Sequence, residues 1–258
     1  MHPINGVLQF IGIEIMKIPK IPVTKIIDFK KDISFFKENE NGFSVFEEFH
    51  DDSGSHPINY MSYECEFTSS HLNRLSPQNI LDIGSYRLFL IGLLASFKIT
   101  TVDIRQRMAS LQNEILTICD AKKLPFPDNI FDVVISLCSI EHFGLGRYGD
   151  EIDPDGDKKA VSEMIRVLKP HGRLIISTTL TGGKPAIVFN AHRIYNYSNI
   201  LEMLGEMQCE YEEFYSTKLD RPCNLNEITN IPRIWDVYLG CWMKPGIEKN
   251  SHKRNDYD

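Results

Sequence analysis

The sequence predicts an α/β protein: a mostly parallel sheet with helices on both faces, finished by an antiparallel strand pair at its C-terminal end. Three observations predict it. Short Val- and Ile-rich runs alternate with helical patterns between residues 79 and 180. Those runs are almost continuously apolar, as strands buried on both faces are. Two further strand-like runs, 209–218 and 235–243, have no long helical pattern between them, so an antiparallel pair at the sheet edge is expected.

In chain order, "NYMSYECEFTSSHLNRL" (59–75) reads as a helix leading into the domain, stopped by Pro77. "NILDI" (79–83) is a short strand closed by Gly84. "YRLFLIGLLASF" (86–97) has helical length and apolar faces, and "KITTVDI" (98–104) is a second strand. "LTIC" (116–119), "FDVVISL" (131–137) and "RLIISTT" (173–179) continue the series. Between the last two, Asp157 to Leu168 is an amphipathic helix with Ala160, Val161, Met164, Ile165 and Leu168 on one face, stopped by Pro170 and Gly172. The loop before it, "GLGRYGDEIDPDGD", is too long for a plain turn and reads as a substrate-side lid or wall. Its Asp153, Asp155 and Asp157 do not make an EF-hand, which would need Gly and Glu where Lys158 and Met164 stand. Asp157 is expected to cap the helix, and no metal is expected.

Residues 1–58 are assigned to an N-terminal extension ending in the turn-forming "HDDSGSHP", residues 59–244 to the main domain, and residues 245–258 to a polar tail. A chain of 258 residues suits one α/β domain with such an extension. Hydrophobic and charged contents of 42% and 24% place it among soluble globular proteins. A net charge of −7 without a basic stripe argues against nucleic-acid binding. The six cysteines form no CxxC and no Cys/His cluster, so reduced, intracellular thiols are expected. The opening "MHPINGVLQFIGIEIMKIPK" has Glu14 in its apolar run and no basic leader, so a signal peptide is not expected. No run approaches the roughly 20 apolar residues of a membrane span. A cytoplasmic protein acting on a small molecule is expected, with its oligomeric state left open.

Two residues carry the first chemical signal. Gly84 closes a strand where a side chain would obstruct a ligand lying on the strand-to-helix turn. Asp103 follows nineteen residues later at the tip of the next strand. That is close to the spacing of about 20 residues at which an acidic side chain accepts hydrogen bonds from both ribose hydroxyls. Asp103 could equally cap the segment "RQRMAS". The GxGxxG loop that seats a dinucleotide pyrophosphate is absent, because Ser85, Tyr86 and Arg87 follow Gly84.

Four segments in sequence order, "ILDIGS", "TTVDI", "CDAKKLPFPDNIFDVVIS" and "EMIRVLKPHGRLIIST", make residues 79–180 similar to the class I S-adenosylmethionine-dependent methyltransferases, and among them to the methyltransferase type 11-like group. The resemblance implies a Rossmann-like, seven-stranded sheet and S-adenosyl-L-methionine as cofactor. It places Asp82 near the methionine amino group, Gly84 and Ser85 at the turn, Asp103 on the ribose and Asp120 beside the adenine amino group. Ala121 becomes a backbone donor to the ring, and Cys138 and Ser139 line the methionine part. The third segment has no counterpart in nicotinamide dehydrogenases, and the fourth is a structural signature. The chain departs from the family's GxGxG, with Tyr86 and Leu88 at the second and third glycine positions. S-adenosylmethionine has no phosphate to seat there, so the substitution is tolerable; Tyr86 and Arg87 are expected to shift or narrow the methionine end.

For the chemistry, His142 has the pKa range of a general base and His192 is a second candidate, although either could serve packing alone. Glu141 is expected to orient its loop. Arg147 and Arg193, with Asn190, are candidates for holding an anionic acceptor such as a phosphorylated or nucleotide-linked sugar. The expected activity is methyl transfer to a small polar acceptor, a sugar or glycan precursor, at oxygen before nitrogen. One alternative is a catalytically inactive methyltransferase-like binding or scaffold protein, motivated by Tyr86 and Leu88. The other is an NAD-linked Rossmann enzyme, for which Asp103 is equally good support.

Overall fold

The computed structural model describes residues 23–38, 44–47, 59–107 and 111–246; the chain start, the turn-forming 50–57 and the tail beyond 246 lie outside the described residues. The chain divides into two units, Met1–His56 and Pro57–Asp258. In the first, helix α1 spans Val23–Glu38.

The second unit opens with α2, Tyr60–Leu75, whose N-cap Asn59 accepts a hydrogen bond from the Ser62 backbone N–H. Ser76 ends it in the left-handed conformation, ahead of Pro77. Its buried residues are Glu64, Phe67, Thr68, His71 and Leu72, one continuous helical stripe with a glutamate at its head. Strand β1 (Ile80–Ile83) follows, then α3 (Arg87–Leu93), β2 (Ile99–Asp103), β3 (Glu114–Ile118) and β4 (Phe131–Leu137). A single 3-10 turn covers Ile140–His142. Helix α4 (Gly156–Val167) leads into the long β5 (Leu168–Leu180). A hairpin of β6 (Ala186–Val188) and β7 (His192–Ile194) comes next. It is followed by α5 (Tyr197–Leu204), β8 (Gln208–Ser216), β9 (Arg221–Cys223) and β10 (Asp236–Met243).

The main sheet runs β3-β2-β1-β4-β5-β10-β8-β9. The first five strands are parallel to their neighbours, and β10 inserts antiparallel between β5 and β8. The expected seven strands are therefore eight: the seven anticipated, plus the three-residue β9, which folds back on β8 at the edge. Alternate residues of the central strands go to opposite faces. Leu81, Val134, Leu174 and Ile176 join Val161, Met164, Ile200 and Leu204 under α4 and α5. Ile80, Val133, Ile135 and Ile175 join Phe67, Leu72, Leu90 and Leu93 under α2 and α3. This is why both residue parities of these strands are apolar.

Two expectations are corrected. The helix expected over 86–97 is regular only over Arg87–Leu93, and a turn through Gly92 finishes the segment. Asp157 does not cap α4: the N-cap position is Asp155, and Asp157, one residue into the helix, is buried with one oxygen 2.8 Å from the Tyr195 hydroxyl. The "LPFPDN" and "EMIRV" motifs prove to be one clamp. Arg166 donates to the carbonyls of Leu124 and Phe126 and pairs with Glu163 and Asp128, fastening the approach to β4 onto α4.

Candidate functional site

The carboxyl ends of β1, β2, β3 and β4 converge on one cleft of about 610 Å³. Its lining includes Gly84, Asp103, Asp120, Ala121, Cys138, Ser139 and His142, seven of the residues singled out from sequence. Parallel strands put all these loops at one end of the sheet, where β1 and β4 diverge to opposite sides.

Gly84 has φ +75°, and a Cβ there would meet the Ser139 Cβ at 3.1 Å, so the position requires glycine twice over. The residues that replace the other glycines turn outward. Tyr86 is 48% exposed and Leu88 is 65% exposed. Arg87 reaches Glu114 with two hydrogen bonds of 2.5 and 2.8 Å. That contact, ahead of the opposing burial, holds the Glu114 carboxyl down at about 2. None of the three lines the cleft. Ser85 is buried and accepts from the Leu137 N–H, tying the turn to β4. Ser139 donates to the Ile83 carbonyl at 2.9 Å and does the same from the other side.

Asp82, at 0% exposure, has no hydrogen-bond partner in good geometry on either oxygen among the described residues. Burial pushes its pKa up to about 7, with Ser85, Arg107 and Arg87 near enough to oppose the shift. Asp103 is the opposite case. Arg105 grips both its oxygens (3.0 and 2.9 Å), and Arg107 adds a contact at 3.2 Å. Burial raises its pKa, but these hydrogen bonds outweigh burial and hold it below the ordinary value. The Arg105 guanidinium also stacks on Tyr148, 4.7 Å from the ring centre, across the cleft mouth. Asp120 forms an Asx turn, accepting from the Lys122 N–H at 2.9 Å.

Beside Cys138 the chain buries an unusual group of acids. Glu64 of α2 and Glu141 are 4% and 2% exposed. The Cys138 thiol and the Ser177 hydroxyl both donate to Glu64 Oε1, at 2.8 and 2.5 Å, and Thr178 donates to Glu141 at 3.0 Å. Burial pushes Glu141 up to about 8 and also raises Glu64. Tyr60 is pushed up to about 12 by burial and by Cys138, Glu64 and Glu141 around it. His142 Nδ1 lies 2.6 Å from the Ala191 carbonyl oxygen, and its Nε2 lies 4.0 Å from Glu141. Burial is the main cause that drops its pKa to about 4.

His192 sits behind His142, their ring centres 6.4 Å apart, with its far side on Trp235 and Nε2 unpartnered among the described residues. Arg147 is exposed and donates to the Ala191 carbonyl at 3.2 Å. Asn190 is exposed in the turn between β6 and β7. Arg193 is not at the cleft. It is 5% exposed, and its guanidinium donates to the carbonyls of Phe143, Asp153 and Pro154 and pairs with Asp157, so it fastens the hairpin to the long loop. Sequence reasoning missed Glu64, Tyr60, Arg105 and Tyr148. Only Glu64 left a signal, as the one acid on an otherwise helix-spaced buried stripe.

A family model described as "Caenorhabditis protein of unknown function, DUF268" matches residues 84–231, more than half of the chain. The chain belongs to this family. Within the curated proteins, this DUF268 chain is 36% identical over 103 residues to the ubiquinone/menaquinone biosynthesis C-methyltransferase UbiE of Saccharophagus degradans, covering 40% of this chain and 36% of that protein. The UbiE of Bordetella avium is 31% identical over 163 residues, 58% of each chain. The DUF268 chain thus spans between about a third and three fifths of these relatives. Among solved structures, it is similar to the 1,6-didemethyltoxoflavin-N1-methyltransferase of Burkholderia thailandensis, solved with S-adenosylhomocysteine, with TM-score 0.53, 14% identity, 89% of this chain and 93% of that one. The [4+2]-cyclase SpnF gives TM-score 0.54 at 15% identity, with 90% and 100% covered. The fold of this DUF268 chain is that of the class I methyltransferases.

Proposed function

We propose that the protein is an S-adenosylmethionine-dependent methyltransferase that acts on a small, hydroxyl-bearing polar acceptor in the reducing environment its six unpaired cysteines suit. The observation that carries this reading is the single cleft in which Asp103, Asp120, Gly84 and His142 share one lining. The donor set fits the cofactor. An acid at the β2 tip suits a ribose diol and the Asp120 turn suits an adenine edge, while the Asp82 carboxyl, fully buried, lies outside the cleft lining. Bound there, S-adenosylmethionine would supply a methyl group already activated for in-line transfer.

The chain's own residues then have to align the acceptor, exclude water and take a proton. With Nδ1–H donating to Ala191, the remaining lone pair of His142 is on Nε2, and that nitrogen is the proposed base. Glu141, 4.0 Å away, faces that nitrogen, but burial pushes its pKa up to about 8, so near pH 7 it is mostly a neutral acid and supplies little countercharge. We assign His192, Arg147 and Asn190, which lie outside the cleft lining, to the acceptor side, and Cys138 and Ser139, which line it, to the methionine end.

An acceptor oxygen uses His142 most directly. Carbon is the second reading, favoured by the C-methyltransferase names of the curated relatives; a carbon activated by a neighbouring hydroxyl would need the same base. Calorimetry tests the foundation: the reading requires one-to-one binding of S-adenosylhomocysteine, weakened at least tenfold in Asp103→Ala, and it fails if the wild type releases no binding heat.

A further inference from the structure

A second cavity, of about 740 Å³, lies between α4, the β6–β7 hairpin and α5, and shares no lining residue with the cleft described above. At its base are three buried polar side chains. Asp157 is 4% exposed, Arg193 5% and Tyr195 5%, and all three line the cavity. Tyr195 donates to Asp157 Oδ2 at 2.8 Å, and Arg193 Nε lies 3.4 Å from the same oxygen. The other oxygen, Oδ1, is buried with no partner among the described residues. A buried carboxylate oxygen left without a hydrogen bond is unfavourable, so a donor is called for. Around it the walls are apolar: Pro185, Ala186, Ile187, Ile194 and Met203.

We propose that this cavity is a second small-molecule site, taking a neutral ligand that carries hydroxyl groups and an apolar face, as a sugar or cyclic polyol does. Neutrality follows from the charges present. Arg193 already faces Asp157, and at the rim Lys158 lies between Asp155 (3.7 Å) and Glu202 (4.0 Å). What Oδ1 lacks is a hydrogen rather than a countercharge. Asn199, on the opposite wall, uses its side-chain oxygen at the start of α5, and its amide NH₂ donates to nothing among the described residues. A ligand with several hydroxyls can give a hydrogen to Asp157 and accept one from Asn199, and an ammonium can accept none.

The test uses the full chain and methyl β-D-glucopyranoside as probe, with propylammonium chloride as charged control. By saturation-transfer NMR the glucoside binds the wild type, propylammonium does not, and Ala186→Trp, which fills the cavity, weakens the glucoside at least tenfold. Binding of S-adenosylhomocysteine by the same variant stays within twofold of wild type and reports that it is folded. Should the variant misfold, a wild-type crystal soaked with the glucoside decides: a sugar hydroxyl on Asp157 Oδ1 supports the site. An ordered water alone on that oxygen, propylammonium binding in preference, or glucoside binding indifferent to Ala186→Trp in a folded variant would overturn it. Failure of the wild type to bind S-adenosylhomocysteine would count against the function proposed above and leave this site standing.

Discussion

Nδ1 of His142 lies 2.6 Å from the carbonyl oxygen of Ala191, so the ring proton is donated into the hairpin and the Nε2 lone pair is left on the side of Glu141. The hairpin turn thus sets the tautomer of a histidine on the loop after β4. If Nε2 is the base, His142→Gln lowers kcat about 10²–10⁴-fold while the affinity for S-adenosylhomocysteine stays within twofold. Single-turnover kinetics beside calorimetry separates the two effects; a loss confined to affinity would count against the role.

The pH profile follows from the same residue. Burial takes the His142 pKa from 6.5 down to about 4, so the neutral, base-competent form persists well below pH 6. The acid limb of kcat/KM is expected near pH 4 to 5, not near 6.5. An acid limb that vanishes in His192→Gln but persists in His142→Gln would transfer the role to His192, whose own pKa burial and then Arg147 hold below the ordinary value.

Asp103 is saturated by arginine. Four N–H groups of Arg105 and Arg107 reach its two oxygens, leaving a ribose diol to displace the exposed Arg105. Arg105→Ala should therefore bind S-adenosylhomocysteine more tightly, by about two- to fivefold, the loss of one exposed ion pair being worth at most about 1 kcal/mol. Weaker binding in that variant would show that Arg105 helps to hold the ligand.

The glycine turn gives a paired prediction. Gly84→Ala places a side chain at φ +75° and against Ser139, which costs about 1–3 kcal/mol and abolishes measurable cofactor binding. Tyr86→Gly, restoring a family glycine, changes affinity less than twofold because Tyr86 already points away. Thermal unfolding and calorimetry on the pair check both.

Glu141 sets an alkaline limit on stability. Its folded pKa is raised from 4.5 to about 8, so its contribution is fully present below pH 4.5 and is lost as pH rises through 8. Wild-type stability, read as Tm, should fall between about pH 5 and 8 and level off above, and Glu141→Gln, which cannot ionise, should flatten that decline. An identical slope in the two proteins would contradict the assignment.

The sheet was legible because buried parallel strands write themselves as unbroken apolar runs. Asp103 was legible because it closes a strand nineteen residues after Gly84, and Asp120 because its segment resembles those of the methyltransferases. The β6–β7 hairpin and β9 were not, since three-residue strands carry no period. Helix α5 was missed although Asn196 and Asn199 form a capping box at its start, a signal present in "NYSN". Arg105 could not be read as a partner of Asp103, because an ion pair across two residues has no motif. Arg193 looked like a substrate ligand because an arginine near a pocket loop does not disclose in sequence that three carbonyls already hold it.

The most direct measurement is a crystal structure of the full chain with S-adenosylhomocysteine. The account predicts the ribose hydroxyls on the Asp103 carboxylate, Arg105 swung off it, and the adenine against Asp120. A ligand seated elsewhere, or a cleft still closed by Arg105 on Asp103 at saturating ligand, would contradict it.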